Sequence, residues 1–529
     1  MTKKILISDQ IAENGIAMLK RSAQVDVLTS LTPEQLRACI GSYDALIVRS
    51  QTKVTPDIIE AGTKLQVIGR AGVGIDNIDI EAATRRGIMV VNSPQGNIIS
   101  TAEHTIALIL SLARQIPRAD AQLHAGNWNR KIKGIQIRAK TLGIIGLGRV
   151  GSEVAQLAKG LQMNVLAFDT AVSENRAEKL GARLVDLNSL LSTSDFVTVH
   201  VPLSHLTAGL IGAEQLKLMK PTAMIVNCAR GGVIDEQALL EAVKGGVLAG
   251  AAIDVFTKEP ALDNILLQSD KILTTPHLAA STNEAEISAS QDIAEEVLAV
   301  LNGYPPKSPV NAPSISAAAM ASLGPYMRVA ATLGKIAIQL AGGKLNSLII
   351  RYEGEIANQQ TEALRASVLS GLLELMTDEQ VNMINARFIA EKRGLVIEEF
   401  KSPACDNFTS MLTLEVHGPQ NTLVSGTCLR DKTYLTRVND FWLEVEPSSA
   451  TLLFTEHQDR PGMIGAVGTI LGNRGVNISQ MQVNVGIQRG GNAMMVMCID
   501  DPVPPECMRD IQAIPGMIKA SIVELFTRG

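Results

Sequence analysis

One run of the chain restricts its fold more than any other. Residues 140–151 read KTLGIIGLGRVG, an apolar strand that breaks into Gly146-Leu147-Gly148-Arg149-Val150-Gly151 and continues as the helical run VAQLAKGL. The first glycine permits a tight turn and the second lets the backbone approach an anion. The third lets the helix lie close to the strand, so that amides at the helix start face a pyrophosphate. A second strand, NVLAFD, ends in Asp169, about 20 residues on, where a carboxylate accepts hydrogen bonds from ribose hydroxyls. Thr170 and Ala171 supply no cation for a 2'-phosphate, which favours NAD over NADP.

This unit is one of a series. From Lys4, short apolar runs (KILISD, VDVL, ALIVRS, LQVIGR) alternate with helical stretches, and a second set (LGIIG, NVLAFD, DFVTVHVP, AMIVNCA, LAGAAIDVF, KILTTPH) follows the amphipathic run TAEHTIALILSLARQI. Such alternation predicts two doubly wound parallel-sheet domains. The periodic segment TNEAEISASQDIAEEVLAVLNG predicts a helix closed by Gly303, and YPPKSPVNAPSIS reads as a linker. Beyond it, residues 317–447 mix helices (ALRASVLSGLLELM, VNMINARFIAEKRG) with strands (MLTLEVHG, DFWLEVEP), an α+β pattern. The tail, 452–529, runs strand, helix, strand, strand, helix, strand with a turn at RGG, a ferredoxin-like βαββαβ order. The cofactor unit, 98–280, is inserted into a first domain of residues 1–97 plus 281–311.

Composition narrows the function. At 529 residues with 46% hydrophobic and 19% charged side chains, the chain has core material for several folded domains. A net charge of -5 and 3% aromatics offer neither the basic field nor the stacking platforms of a nucleic-acid binder. The six cysteines, Cys39, Cys228, Cys405, Cys428, Cys498 and Cys507, show no metal-ligand spacing, so no metal is expected and reduced thiols are. No apolar window reaches the ~18 residues of a membrane span. The opening MTKKILISD reads as a strand rather than a leader, so a cytoplasmic address is expected.

Moving a hydride off a hydroxyl carbon requires a base near neutral pKa and a cation for the neighbouring carboxylate. Ligands of parallel sheets bind at the carboxyl ends of the strands. Arg230 follows the strand MIVNCA, Glu259 follows IDVFTKEP, and His277 follows KILTTP. A carboxylate beside an imidazole stabilises the imidazolium and fixes its tautomer. The other histidines read as structural: His104 within a helix, His200 near the cofactor cleft, His417 at a strand end.

These motifs, GLGRVG with Asp169, VNCARGGVIDEQAL, AAIDVFTKEP and TPHLAASTNEA, together resemble the D-isomer-specific 2-hydroxyacid dehydrogenase family from about Lys4 to Asn311. The resemblance implies a catalytic trio of Arg230, which clamps the carboxylate, His277, which exchanges the proton, and Glu259, which tunes it. It implies cofactor contacts at Gly146, Gly148, Arg149, Val150, Gly151, Asp169, Pro202, Cys228 and Asp254. Cys228, at a buried strand end, reads as a packing residue rather than a nucleophile. The runs ALIVRSQTKVT, GRAGVGIDNIDIEAATRRGIMVVNSPQGN and NWNRK resemble members that oxidise 3-phosphoglycerate at the head of L-serine synthesis. Arg49 and Arg70, at strand ends of the first domain, with Asn97 and Arg130, then supply the contacts that a phosphorylated substrate needs beyond Arg230. Arg130 matches a position that reaches the other subunit's site, so a homodimer or homotetramer is expected. A hydroxypyruvate or glyoxylate reductase of the same fold would tolerate loss of Arg49, and a non-catalytic dinucleotide-sensing protein would lack the His or Arg.

HQDRPGMIGAVGTILGNRGVNISQM resembles the opening of an ACT domain, an amino-acid-binding regulatory module. The resemblance implies effector contacts at His457, Asp459 and Asn477 and L-serine as the effector. Deletion after Pro447 is expected to leave dehydrogenase activity and to abolish the response to L-serine. Residues 317–447 resemble the intervening regulatory domain of the longer members, with no site assigned.

Overall fold

The computed structural model describes residues 2–313, 315, 317–377, 379–486 and 491–525. Near the N-terminus, five parallel strands lie in the order Gln24–Val27, Lys4–Ile7, Ala45–Val48, Val67–Arg70, Met89–Asn92. Their runs ILI and ALIV are buried completely, as strands covered by helices on both faces must be. The helix Asn283–Leu301 returns to this sheet: Ile293, Ala294, Val297 and Leu301 pack with Ile5, Ile7 and Val67. Thr32, Asp79, Asp235 and Thr282 cap their helices through side-chain oxygens.

A second, seven-stranded parallel sheet runs Ile272–Thr274, Gly250–Ile253, Met224–Asn227, Phe196–Val199, Thr141–Ile145, Asn164–Phe168, Ala182–Leu184. The order reverses between Thr141–Ile145 and Phe196–Val199, and the glycine turn sits at that switch point. Ala182–Leu184 is a strand that the sequence pattern did not reveal. It spans three residues at the sheet edge and exposes Arg183, too short and too polar for a periodic signal.

Residues beyond the linker form a six-stranded mixed sheet backed by the helices Ala317–Leu340 and Glu362–Leu373. The first of these helices carries Pro325 inside it and was not read from the sequence. The helix expected over 381–394 is confined to Ala386–Lys392. Ahead of it, the side chains of Asn382 and Asn385 accept each other's backbone N–H bonds, a local turn that competes with helix. Their amides also donate to the carbonyls of Gly87 and Arg85, docking this domain on the first.

The tail forms a four-stranded antiparallel sheet ordered Ile478–Val485, Asn492–Ile499, Thr451–Gln458, Met517–Glu524, with two helices. The turn read at RGG falls largely on 487–490, outside the described residues. Side chains alternate between two cores. Leu453, Met495, Met497 and Ile499 pack under the tail's own helices. Leu452, Phe454, Met494, Val496, Cys498 and Val523 join Leu333, Ile336 and Leu340 in the core of the preceding domain. Cutting after Pro447 would therefore uncover one face of that core, because the tail and the preceding domain form one packed unit. Among the described residues, no helix is long and apolar enough to cross a membrane.

Candidate active site

The glycine turn divides its work among three positions. Gly146 takes φ 94°, and a Cβ there would lie 2.6 Å from the His200 carbonyl oxygen. A Cβ on Gly151 would lie 2.0 Å from the Gly146 carbonyl oxygen, so only glycine lets the helix Arg149–Gly160 start this close to the strand. At Gly148 a Cβ would meet nothing within 4 Å, which leaves open space at the helix N-terminus where an anion fits. Asp169 stiffens the turn: its carboxylate accepts from the amides of Leu147 at 2.8 Å, Ala171 at 2.8 Å and Val172 at 3.2 Å. Arg149 donates to the Pro94 carbonyl of the first domain at 3.2 Å, beside the half-buried Val150. An open helix start with a carboxylate at the next strand end fits a dinucleotide, which these residues would hold.

Pro202 is exposed just past the strand Phe196–Val199. Cys228 is 5% exposed, and burial pushes its thiol up to about 12, so it is a neutral packing group rather than a thiolate. Burial pushes His200 down to about 4, and its Nε2 contacts Thr198 Oγ1 at 3.0 Å, the properties of a neutral structural histidine.

Asp254 has a task that the sequence did not suggest. It is fully buried and accepts from Thr275 Oγ1 at 2.6 Å, the Leu278 amide at 2.8 Å and the Ala279 amide at 3.0 Å. Burial pushes its carboxyl up, but these bonds and His104, whose Nε2 lies 3.4 Å away, outweigh it and hold the group below its ordinary range. It thereby fixes the loop that presents His277, a residue held at φ 55°, outside the conformations most side chains favour. His277 Nδ1 lies 2.9 Å from Glu259 Oε2, while the other carboxylate oxygen accepts the Phe256 amide at 3.0 Å. With Nδ1 occupied, Nε2 is the nitrogen left for a substrate. Arg230 stands on the neighbouring turn, and its Nη1 donates to the Ala229 carbonyl at 2.7 Å. A Cβ on Gly231 would come within 2.0 Å of the Phe256 backbone, so this turn is pressed against the loop that leads to Glu259.

Across from these lie the cations of the first domain. Arg70 is mostly buried, and its Nε is, among the described residues, a buried polar atom without a partner. Burial first, then the nearby guanidinium groups of Arg230 and Arg49, push Arg70 down to about 10. Three positive side chains thus share one cleft, an arrangement that an anion relieves. They are not equivalent: Arg49 Nη1 is already paired with Glu286 Oε1 at 2.8 Å. Asp76 and Glu286 carry no role legible in the sequence and His104 reads as a structural residue; Asp76 stands inside the motif run GRAGVGIDNID, whereas Glu286 lies just beyond TPHLAASTNEA. Asn97 is half-buried at the start of the helix Ile98–Arg114. Arg130 lies in an exposed stretch beside Trp128, which is 79% exposed.

In the tail the expected effector residues do not meet within one chain. Ile478 is level with Ile499 and Thr451, whereas His457 is level with Ala493, six residues along, so Asn477 and His457 stand about 20 Å apart at opposite ends of the sheet. Asn477 Nδ2 donates to Asp500 at 2.8 Å. His457 is 2% exposed with Nδ1 unpartnered, and burial holds its imidazole below the ordinary range, partly offset by Thr455 and Asp459.

Comparisons with known proteins assign the segments of the chain to families. Residues 106–279 match the NAD binding domain of D-isomer specific 2-hydroxyacid dehydrogenases, 322–438 the D-3-phosphoglycerate dehydrogenase intervening domain, and 451–516 the ACT domain. The chain is similar to the D-3-phosphoglycerate dehydrogenase of Archaeoglobus fulgidus, 43% identical over 99% of this chain and 100% of that one. That of Bacillus subtilis is 38% identical over 99% of each. Among solved structures, D-lactate dehydrogenase from Aquifex aeolicus complexed with NAD and lactic acid matches 56% of this chain and 96% of its own, with 27% identity and a TM-score of 0.52.

Proposed function

The chain belongs to the D-3-phosphoglycerate dehydrogenase family, and from that premise we propose how its residues oxidise 3-phospho-D-glycerate to 3-phosphohydroxypyruvate with NAD. The nicotinamide, when bound, supplies the hydride acceptor for C2. Arg230 clamps the C1 carboxylate and polarises the C2 oxygen. His277 takes the hydroxyl proton through Nε2, and Glu259 holds Nδ1 so that the ring keeps that tautomer and orientation. The phosphate faces Arg70, with Arg49, Asn97 and a partner subunit's Arg130 around it. Residues 1–97 plus 281–311 serve as the substrate domain and 98–280 as the cofactor domain; 317–447 and 452–529 serve in regulation.

The observation that carries this reading is the pair His277 Nδ1 to Glu259 Oε2 at 2.9 Å, on the loop beside the Arg230 turn. The buried, unpartnered Nε of Arg70 favours a substrate with a second anionic group over hydroxypyruvate or glyoxylate. The formed acid–base pair favours turnover over mere cofactor sensing. Following nicotinamide reduction with a panel of 2-hydroxy acids tests it: 3-phospho-D-glycerate is expected to exceed D-glycerate and glycolate in kcat/KM by at least about tenfold, the worth of one charge-assisted contact. Equal rates across the panel would overturn the phosphate assignment.

The enzyme is further proposed to be a cytoplasmic homodimer or homotetramer inhibited by L-serine. The helix Ile116–His124 buries no residue and, with Trp128, leaves Ile116 and Leu123 each 54% exposed, an apolar surface that a second subunit would cover. Since His457 and Asn477 lie at opposite ends of one tail sheet, an effector that touches both needs two copies: His457 and Asp459 from one, Asn477 from the other. Asn477→Ala in the full-length chain is expected to leave uninhibited kcat unchanged and to raise the L-serine concentration for half-inhibition at least about tenfold. Unchanged inhibition would remove Asn477 from the effector site.

A further inference from the structure

The guanidinium of Arg230 belongs to the cofactor domain, yet the surface that receives it belongs to the substrate domain. Arg230 Nε donates to Asp76 Oδ2 at 3.2 Å across the cleft, while Nη1 is held by its own turn through the Ala229 carbonyl. A Cβ on Gly74 would lie 2.4 Å from Arg230 Nη2 and 3.2 Å from Asp76 Oδ2. Gly74 has no positive φ, so its missing side chain provides room for the guanidinium rather than backbone freedom. The loop is itself anchored: Asn77 Nδ2 donates to the Arg49 and Thr52 carbonyls, both at 2.7 Å, and the Ser93 amide donates to the Gly72 carbonyl at 3.1 Å.

We propose that Asp76 is a positioning residue for the oxidation: with Gly74 it forms a cradle that aims the Arg230 guanidinium at the substrate only when the two domains stand together across the cleft. The inference rests on the reading of Arg230 as the carboxylate clamp. Asp76 takes the Nε edge and Ala229 one Nη1 hydrogen, so the remaining Nη hydrogens stay available to a carboxylate and a carbonyl oxygen. Holding the two domains together is not the role of this pair. The Asp76 side chain is 75% exposed and that of Arg230 31%, and such exposed pairs add little stability. Orientation is what the contact supplies, and misaiming a clamp by a fraction of an ångström slows hydride transfer more than it weakens binding.

The test is a double-mutant cycle on the full-length enzyme in the reductive direction. Asp76→Asn is expected to lower kcat about tenfold, with NADH affinity and thermal midpoint unchanged. The primary deuterium isotope effect with NADH deuterated at C4 rises, because the hydride step has become slower. Asp76→Glu recovers part of the loss. On an Arg230→Lys background, which has no Nε–H for the cradle to hold, Asp76→Asn lowers kcat by no more than about twofold, since coupled sites do not add. A tenfold loss in both backgrounds, or a loss explained by NADH affinity or unfolding, would overturn the positioning role while leaving the clamp intact. An Arg230→Lys variant as active as the wild type would overturn both.

Discussion

His277→Asn is expected to lower kcat about a thousandfold while NADH affinity, followed by fluorescence titration, stays within error. Asparagine is the chosen replacement because position 277 holds φ 55°, a conformation that Asn tolerates better than Ala. The loop is fixed from beneath by Asp254 and not by the imidazole, so the backbone survives the change. What disappears is the one nitrogen free to exchange a proton with the C2 oxygen. Glu259→Gln should cost less, about a hundredfold, because a glutamine can still accept from Nδ1 but cannot stabilise the charged imidazolium. A His277→Asn enzyme with near-normal kcat would assign the proton transfer to another group.

The second large effect falls on the phosphate side of the cleft. Arg70→Ala is expected to raise KM for 3-phosphohydroxypyruvate about a hundredfold and KM for unphosphorylated hydroxypyruvate by less than about threefold. The asymmetry follows from burial and company. Arg70 is half-buried with its Nε buried and unpartnered, beside Arg49 and Arg230, so it is the cation that gains most when an anion arrives. Removing it relieves repulsion in the ligand-free enzyme, and no loss of folding stability is expected from the charge change. Arg49, already neutralised by Glu286, should show a smaller version of the same selectivity. Initial rates with the two substrates side by side decide it; equal rises in KM would mean that Arg70 supports the cleft rather than reading the phosphate.

The contrast between Arg49 and Arg70 marks the limit of what the sequence could tell. Both stand at strand ends of the first sheet and look alike in sequence, because strand ends are legible from short apolar runs but ion-pair partners are not. Glu286 meets Arg49 from a helix 237 residues away. The glycine turn, by contrast, was legible in full. Gly146 and Gly151 answer local steric demands and Gly148 leaves the helix start open, and such local features leave a mark on sequence. Asp254 was legible as a position and not as a role, since its hydrogen bonds come from a loop brought close only by the parallel pairing of two strand ends. The tail shows the same divide. Its strand order could be read from periodicity, whereas the opposite placement of His457 and Asn477 follows from antiparallel register, and the core shared with the preceding domain follows from which face of each strand is turned outward.

Trapping the substrate in the cleft tests the central claim most directly. A crystal structure of the full-length His277→Asn enzyme with NAD and 3-phospho-D-glycerate should place the C2 hydroxyl within hydrogen-bonding reach, about 2.6 to 3.2 Å, of residue 277. The C1 carboxylate should lie on Arg230 and the phosphate at Arg70. A substrate bound with its phosphate on Arg230, or with C2 turned away from residue 277, would contradict the account.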